Sequence, residues 1–348
     1  MKTTNRKLGV LAKYALICGA CAAPCAVMAQ TQPGVKLYGL VDVYMGSVKR
    51  SDQNAATSSV NGGGTYTSYW GISGEENLGG SFKALFVLES FFQPDTGAIG
   101  RNATDPFMSK NSFVGLSGSL GEITTGRYTI PLLKATASTN PFGASLQLSP
   151  LMLQTWIPTY GRDVVGDSVW NNAVRYVTPE AGGFRGTALL SLGEDPNTNG
   201  KNNRSLSANY RSGPLTAVLL NQSAKTGPGF PTGVTQQTTW MGGATYNLKV
   251  VKLYGTFYKT DTTGTNVSDK TGQLGVSIPV GAAGKISASW ANSRIVTQGQ
   301  PHVTRNDYAA GYEYALSRRT SLYSIYLMDK LSSKGGAGTI AFGIRHLF

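Results

Sequence analysis

Apolar and polar positions alternate along most of this chain. Val35, Leu37, Val41 and Val43 alternate with Lys36, Tyr38 and Asp42. Leu206, Ala208 and Tyr210 alternate with Ser207, Asn209 and Arg211, and Ile286, Ala288 and Trp290 with Lys285, Ser287 and Ser289. A period of two puts one face of a strand in an apolar medium and the other in a polar one. Helical periodicity is scarce. The pattern predicts sixteen strands, at 35–48, 66–75, 81–92, 111–118, 122–127, 170–178, 184–192, 205–212, 215–223, 238–247, 250–260, 271–279, 285–294, 306–315, 320–331 and 338–348.

Alternation alone leaves two architectures open, a soluble β-sandwich and a closed barrel in a membrane. The connections separate them. Short turns are expected at Glu76–Gly80, Ser119–Gly121, Ser212–Pro214, Gly281–Gly284 and Leu316–Arg319. Between them fall long polar loops at 49–65, 93–110, 193–204, 224–237, 261–270 and 295–305. Outer-membrane barrels alternate short and long connections in this way. The fold expected is therefore all-β, a transmembrane antiparallel barrel of sixteen strands.

Composition sharpens this. Only 14% of the 348 residues are charged and 44 are Gly, against ~25% charged in typical soluble domains. No run of 18 apolar residues follows position 29, so spanning helices are excluded. The first 29 residues read as a secretory signal peptide: Lys2, Arg6, Lys7 and Lys13 precede an apolar run that ends at Val27-Met28-Ala29. That run falls short of the ~20 residues of a membrane anchor. Cleavage there would leave residues 30–348 as one barrel domain. It would remove all three cysteines, and with them any disulfide or thiol chemistry. The formal charge would fall from +13 to 27 − 18 = +9, which favours anionic solutes.

One connection is anomalous. Between Arg127 and Trp170 lie some forty residues without alternation, including an apolar stretch from Leu146 to Trp156. A solvated loop would be more polar, so this one is expected to pack inside the barrel wall.

Several segments carry a resemblance. Leu37-Tyr38-Gly39-Leu40-Val41-Asp42, Gly71–Gly80, Leu88-Glu89-Ser90, Phe113-Val114-Gly115-Leu116, Thr125-Gly126-Arg127, Asn172–Tyr176, Leu316–Thr320 and Gly343–His346 stand in the order found in general porins of Gram-negative outer membranes. The chain most closely resembles the β-proteobacterial type. That resemblance implies a homotrimer among outer-membrane lipid and lipopolysaccharide. It implies a third loop folded into the lumen, with Asn140-Pro141-Phe142-Gly143 as its turn. It also implies an eyelet in which wall arginines face loop acids, and a terminal Phe348 read by the barrel-assembly machinery. The function implied is passive diffusion of small hydrophilic solutes and ions. A solute-specific channel and an adhesive or structural barrel remain as alternatives.

Strand parity selects lumen candidates. Arg175, Lys36, Asp42, Lys83, Glu89 and Arg185 are expected to face inward, and the aromatics Phe91, Tyr176, Tyr246, Trp290 and Phe348 to form interfacial girdles. Arg127 and Lys110 match pore-lining positions of the family, while Lys134 and Arg162 are the cations of the long loop. Two departures stand out. Tyr69 occupies a position where many relatives carry Arg, and residues 128–162 contain no Asp or Glu. With so few acids against these bases, anion selectivity is expected. Enzyme chemistry finds no support: His302 and His346 lie beside no nucleophile, and no metal-ligand cluster or phosphate loop is visible. No cofactor and no nucleic-acid partner are expected.

Overall fold

The computed structural model describes residues 34–157, 164–194, 201–227, 230–332 and 334–348. The expected signal peptide and Arg162 lie outside the described residues. The strands are β1 (Lys36–Val48), β2 (Thr57–Gly62), β3 (Tyr69–Gly79), β4 (Phe82–Phe91), β5 (Ser112–Gly118), β6 (Gly121–Thr129), β7 (Val169–Val177), β8 (Phe184–Ser191) and β9 (Asn203–Ser212). They continue as β10 (Leu215–Ala224), β11 (Gln236–Asn247), β12 (Lys252–Thr263), β13 (Val267–Val280), β14 (Gly284–Thr297), β15 (Val303–Ala315), β16 (Thr320–Leu331) and β17 (Gly336–Leu347). Two helices, α1 (Pro131–Ser138) and α2 (Pro150–Trp156), lie between β6 and β7.

Consecutive strands from β3 to β17 pair antiparallel, and β17 returns to β1 with Leu40 opposite Leu347 and Ser47 opposite Ile340. The sheet therefore has no open edge, as lipid requires. Seventeen segments fill sixteen wall positions, because β2 and β3 share one. β2 pairs with Val43–Val48 of β1, and β3 pairs with Lys36–Leu40. The connection expected as a loop over 49–65 thus contains a strand. The expected loops at 261–270 and 295–305 are likewise corrected. β12 and β13 are separated only by residues 264–266, and β14 and β15 by 298–302. The reason is local: Thr260, Thr262, Thr263, Val267, Ile295, Val296, Thr297, Val303 and Thr304 are β-branched and extend the strands.

The polarity is inverted relative to a soluble protein. Leu219, Phe257, Leu274, Ile286, Phe342 and Ile344 are exposed on the outer face. Their neighbours Thr256, Gln273, Ser287 and Ser289 are turned inward and buried. Tyr176, Tyr246, Trp290 and Phe348 stand outward as expected. Phe91 does not: it is 6% exposed, pairs with Tyr69 on the inward face and lies beneath Arg101. Parity explains this, since Glu89 and Phe91 share one face of β4. The turns are tight, and at Ser212–Leu215 the bend is made by Gly213 with φ of 50°, a conformation that a side chain disfavours.

Candidate pore constriction

The long connection after β6 lies against the inner wall. Pro131 opens α1, where its missing N–H costs nothing and its ring presets φ. Leu132 and Ala135 of α1 pack with Leu220, Met241 and Tyr258 of the wall. All seven residues of α2 are buried. Gln154 donates from Nε2 to the Ala291 carbonyl (3.1 Å) and accepts from Ser293 Oγ (2.5 Å). The apolar stretch expected to seek the wall does so. Leu151, Met152 and Trp156 join the first cluster, and Leu148 and Leu153 join Ile325, Leu327 and Ala341 in a second.

The turn at 140–143 is fixed from within and from the wall. Asn140 Nδ2 donates to the carbonyls of Thr136 (2.7 Å) and Gly143 (2.8 Å). Its Oδ1 accepts from the Phe142 amide (3.0 Å) and Ser149 Oγ (3.0 Å). Thr256 Oγ1 donates to the Thr139 carbonyl (2.8 Å). Pro141 lies against Gly275, where a Cβ would fall 2.7 Å from the ring, and Phe142 lies against Gly311. Beyond the turn, Ser145 Oγ donates to the Gly64 carbonyl (2.5 Å), and Arg50 reaches Gln147 Oε1 (3.3 Å). The described part of the loop, from α1 to α2, is thus held to the inner wall, and it narrows the lumen.

The candidate charges fall into three groups. The first is built on β4–β7. Glu89 is 5% exposed, ion-paired with Lys110 (2.9 Å) and hydrogen-bonded by Asn111 and by Tyr38 Oη (3.0 Å). The Lys110 ammonium also sits 3.2 Å from the ring centroid of Tyr69. At the position where the family resemblance implies an arginine, an aromatic face therefore holds a lysine. Arg175 stands opposite Thr124, pairs with Glu122, and lies over the stacked rings of Phe113 and Tyr128 at 5.1 and 5.0 Å. Lys134 of α1 completes the group. It is exposed to the lumen, and no ion-pair partner is found for it among the described residues. The enclosing wall, together with the cations Arg175 and Lys110, lowers its pKa to about 8.

The second group lies below the turn. Lys252, Lys285 and Arg345 line a cavity with Lys134, Pro141 and Phe142, and Glu313 is their acid, at 2.7 Å from Lys285 and paired with Arg345. These three cations are not among the lumen candidates chosen from the sequence, although parity marks them: Lys285 shares the inward face with Ser287 and Ser289. The third group is at the rim. Arg101 bridges Asp105 (2.7 Å) and Asp167 (2.8 Å). Burial works against both charges, yet their mutual hydrogen bonds hold the Arg101 pKa up and the Asp167 pKa down.

Arg127 belongs to this rim, not to the Arg175 group. It stands opposite Ser112, whereas Phe113 and Thr124 share the Arg175 face. Its guanidinium caps the Ser109 carbonyl (2.8 Å) and Asn171, in a pocket shared with Arg101, Asp105 and Asp167. Asp42 also departs from expectation. It faces inward but is 0% exposed. Its carboxylate accepts from the amides of Gly64, Thr65 and Tyr66 and from Tyr323 Oη, so it anchors residues 64–66 and is not in contact with the water path. Lys36 is exposed at the turn end of β1, and Lys83 and Arg185 are paired with Glu75 and Glu180.

A closed barrel with an apolar outside, a polar inside and a loop narrowing the lumen is a membrane channel of the β class. Comparison with known proteins gives the family. A sequence profile described as Gram-negative porin matches residues 15–334. Outer membrane porin protein 32 of Delftia acidovorans is 31% identical over 91% of this chain and 89% of its own. An outer membrane porin of Bordetella pertussis is 26% identical over 97% of this chain and 100% of its own. The solved structure of an anion-selective porin from Comamonas acidovorans superposes with a TM-score of 0.75 at 27% identity, covering 91% of this chain and 100% of the other. The chain belongs to the Gram-negative porin family. It is an outer-membrane diffusion channel.

Proposed function

We propose that this porin passes small hydrophilic solutes with a preference for anions. The observation that carries this is the charge along the water path. Lys110, Lys134, Arg175, Lys252, Lys285 and Arg345 face Glu89, Glu122 and Glu313, and the loop from 128 to 157 contains no acid. In a narrow channel with low-dielectric walls, such an excess focuses a positive potential. Glu89 and Glu122 are each taken up by a wall cation, while no ion-pair partner is found for Lys134 among the described residues. The name of the Comamonas structure agrees with this reading. A homotrimer, and processing after Ala29, follow from the family resemblance and the basic, apolar N-terminus.

The test is a reversal potential across a planar bilayer in a salt gradient. Wild type gives the sign of an anion channel. Lys134→Gln and Arg175→Gln each move the potential toward zero, and the double variant moves it further. A cation-selective wild type, or a double variant with unchanged selectivity, defeats the proposal.

A further inference from the structure

Lys134 differs from its neighbouring amines along the water path. Lys110 is buried and held by Glu89 at 2.9 Å, and Lys285 is held by Glu313 at 2.7 Å. Lys134 is exposed to the lumen, and no ion-pair partner is found for it among the described residues. With its pKa at about 8, half of its amine is neutral at that pH, against roughly one in 250 for an ordinary lysine. A neutral lysine amine beside other cations is a nucleophile toward carbonyl carbon.

The surroundings of this amine select among carbonyl compounds. Lys134 lines one cavity, of about 470 Å³, with Lys252, Lys285 and Arg345. Glu313 is the acid of that cavity, so four cations face one carboxylate. Lys252 stands apart from Glu313, with its ammonium 5.0 Å from the centroid of the Tyr254 ring. A phosphate carries about two negative charges at neutral pH and fits such an excess. The Arg345 guanidinium offers it a planar fork of donors. Pro141, Phe142 and Tyr254 give the same cavity an apolar flank suited to a ring. One small molecule with an anion at one end and a carbonyl at the other meets both the wall cations and the amine.

We propose that Lys134 captures small aldehydes that carry a phosphate, forming an imine in the lumen while Lys252, Lys285 and Arg345 hold the phosphate. The Nζ lone pair attacks the carbonyl carbon, and an N–C bond forms. The carbonyl oxygen takes both amine protons and leaves as water, so C=N replaces C=O. No oxidant or reductant is consumed, and hydrolysis reverses the step. The adduct fills space where the loop already narrows the lumen, so the captured molecule is a removable plug. Capture depends on this cavity and not on the sign of the channel's ion preference.

Pyridoxal 5′-phosphate is the probe, applied to the full barrel at about pH 8. Borohydride then reduces the imine to a stable secondary amine, and peptide mapping reads the labelled lysine. Label is expected on Lys134 ahead of every other lysine. The comparator 5-deoxypyridoxal, which lacks the phosphate, labels it at least tenfold more slowly, and excess inorganic phosphate slows the phosphorylated probe. In planar bilayers the probe lowers the current and dilution restores it, whereas borohydride before dilution makes the loss permanent. Lys134→Arg still conducts, which shows that it folds, but it forms no imine and escapes the permanent block. Lys252→Gln with Arg345→Gln slows labelling by the phosphorylated probe at least tenfold. If that double variant fails to fold, Lys252→Gln alone decides, with severalfold slower labelling expected and an unchanged rate fatal. Label spread evenly over the lysines overturns the proposal. So do equal rates for the two aldehydes, and so does a permanent block of Lys134→Arg. A wild type labelled at Lys134 but without anion preference defeats only the selectivity proposed above. An anion-selective wild type without that label defeats only the capture.

Discussion

At the scale of single residues, the position of a charge matters less than what already holds it. Asp42, Glu89 and Arg175 all lie on the faces that alternation assigns to them, yet they do different work. Asp42 is spent on backbone amides, Glu89 on Lys110, and Arg175 on Glu122. A linear sequence shows parity but not partners, and so it cannot distinguish a field-setting charge from an anchoring one. Arg127 is the sharper case. The chain leaves strand geometry there: Gly126 has a φ of 141° and the β6–β7 register shifts beside it. A match to a family motif does not show such an irregularity. Lys134 carries the clearest consequence. Its pKa is lowered to about 8, so it is charged below that pH and neutral above it. Anion preference should therefore decline between pH 7 and 9, whereas an ordinary lysine would hold its charge to ~10.4. Reversal potentials measured across that range check this, and Lys134→Gln should flatten the profile.

At the scale of elements, the strands were legible and the third loop was legible only in outline. Alternation places β16 at 320–331, where it is found, because one face meets lipid and the other water over the whole length. The apolar run at 146–156 announced contact with the wall, but nothing local foretold helix α2 or its seat on β13–β15, which depend on partners more than 100 residues away. The Asn140 turn is the keystone of that loop. Asn140→Ala removes hydrogen bonds to Thr136 and Gly143 and from Phe142 and Ser149. Leaving buried groups unpaired costs ~1–3 kcal/mol each. The expected result is a lower thermal midpoint for loss of native structure and a noisier open-channel current, read from the variance of single-channel recordings. A quiet current with an unchanged midpoint would remove the turn from its assigned role.

At the scale of the whole molecule, the two ends of the barrel strands meet. Phe348 exchanges backbone hydrogen bonds with Gly39 (3.0 and 3.1 Å), and a Cβ on Gly39 would collide with its ring at 2.4 Å. Removing Phe348 takes away a pair of hydrogen bonds and a ring cover at the seam, where unpaired backbone is costly in lipid. Deletion should lower the fraction of chain recovered as heat-modifiable barrel in the membrane, and undiminished recovery would show that the ring is dispensable. The same seam governs the pore. Asp42 of β1 is bound by Tyr323 of β16, across the intervening β17, and it also holds the segment whose Gly64 carbonyl receives Ser145 of the third loop. The far end of the constriction therefore rests on contacts that exist only once the first and last strands have joined. The seam that closes the cylinder is thus also a footing for the filter, so damage at the edge of the barrel should be felt in the passage.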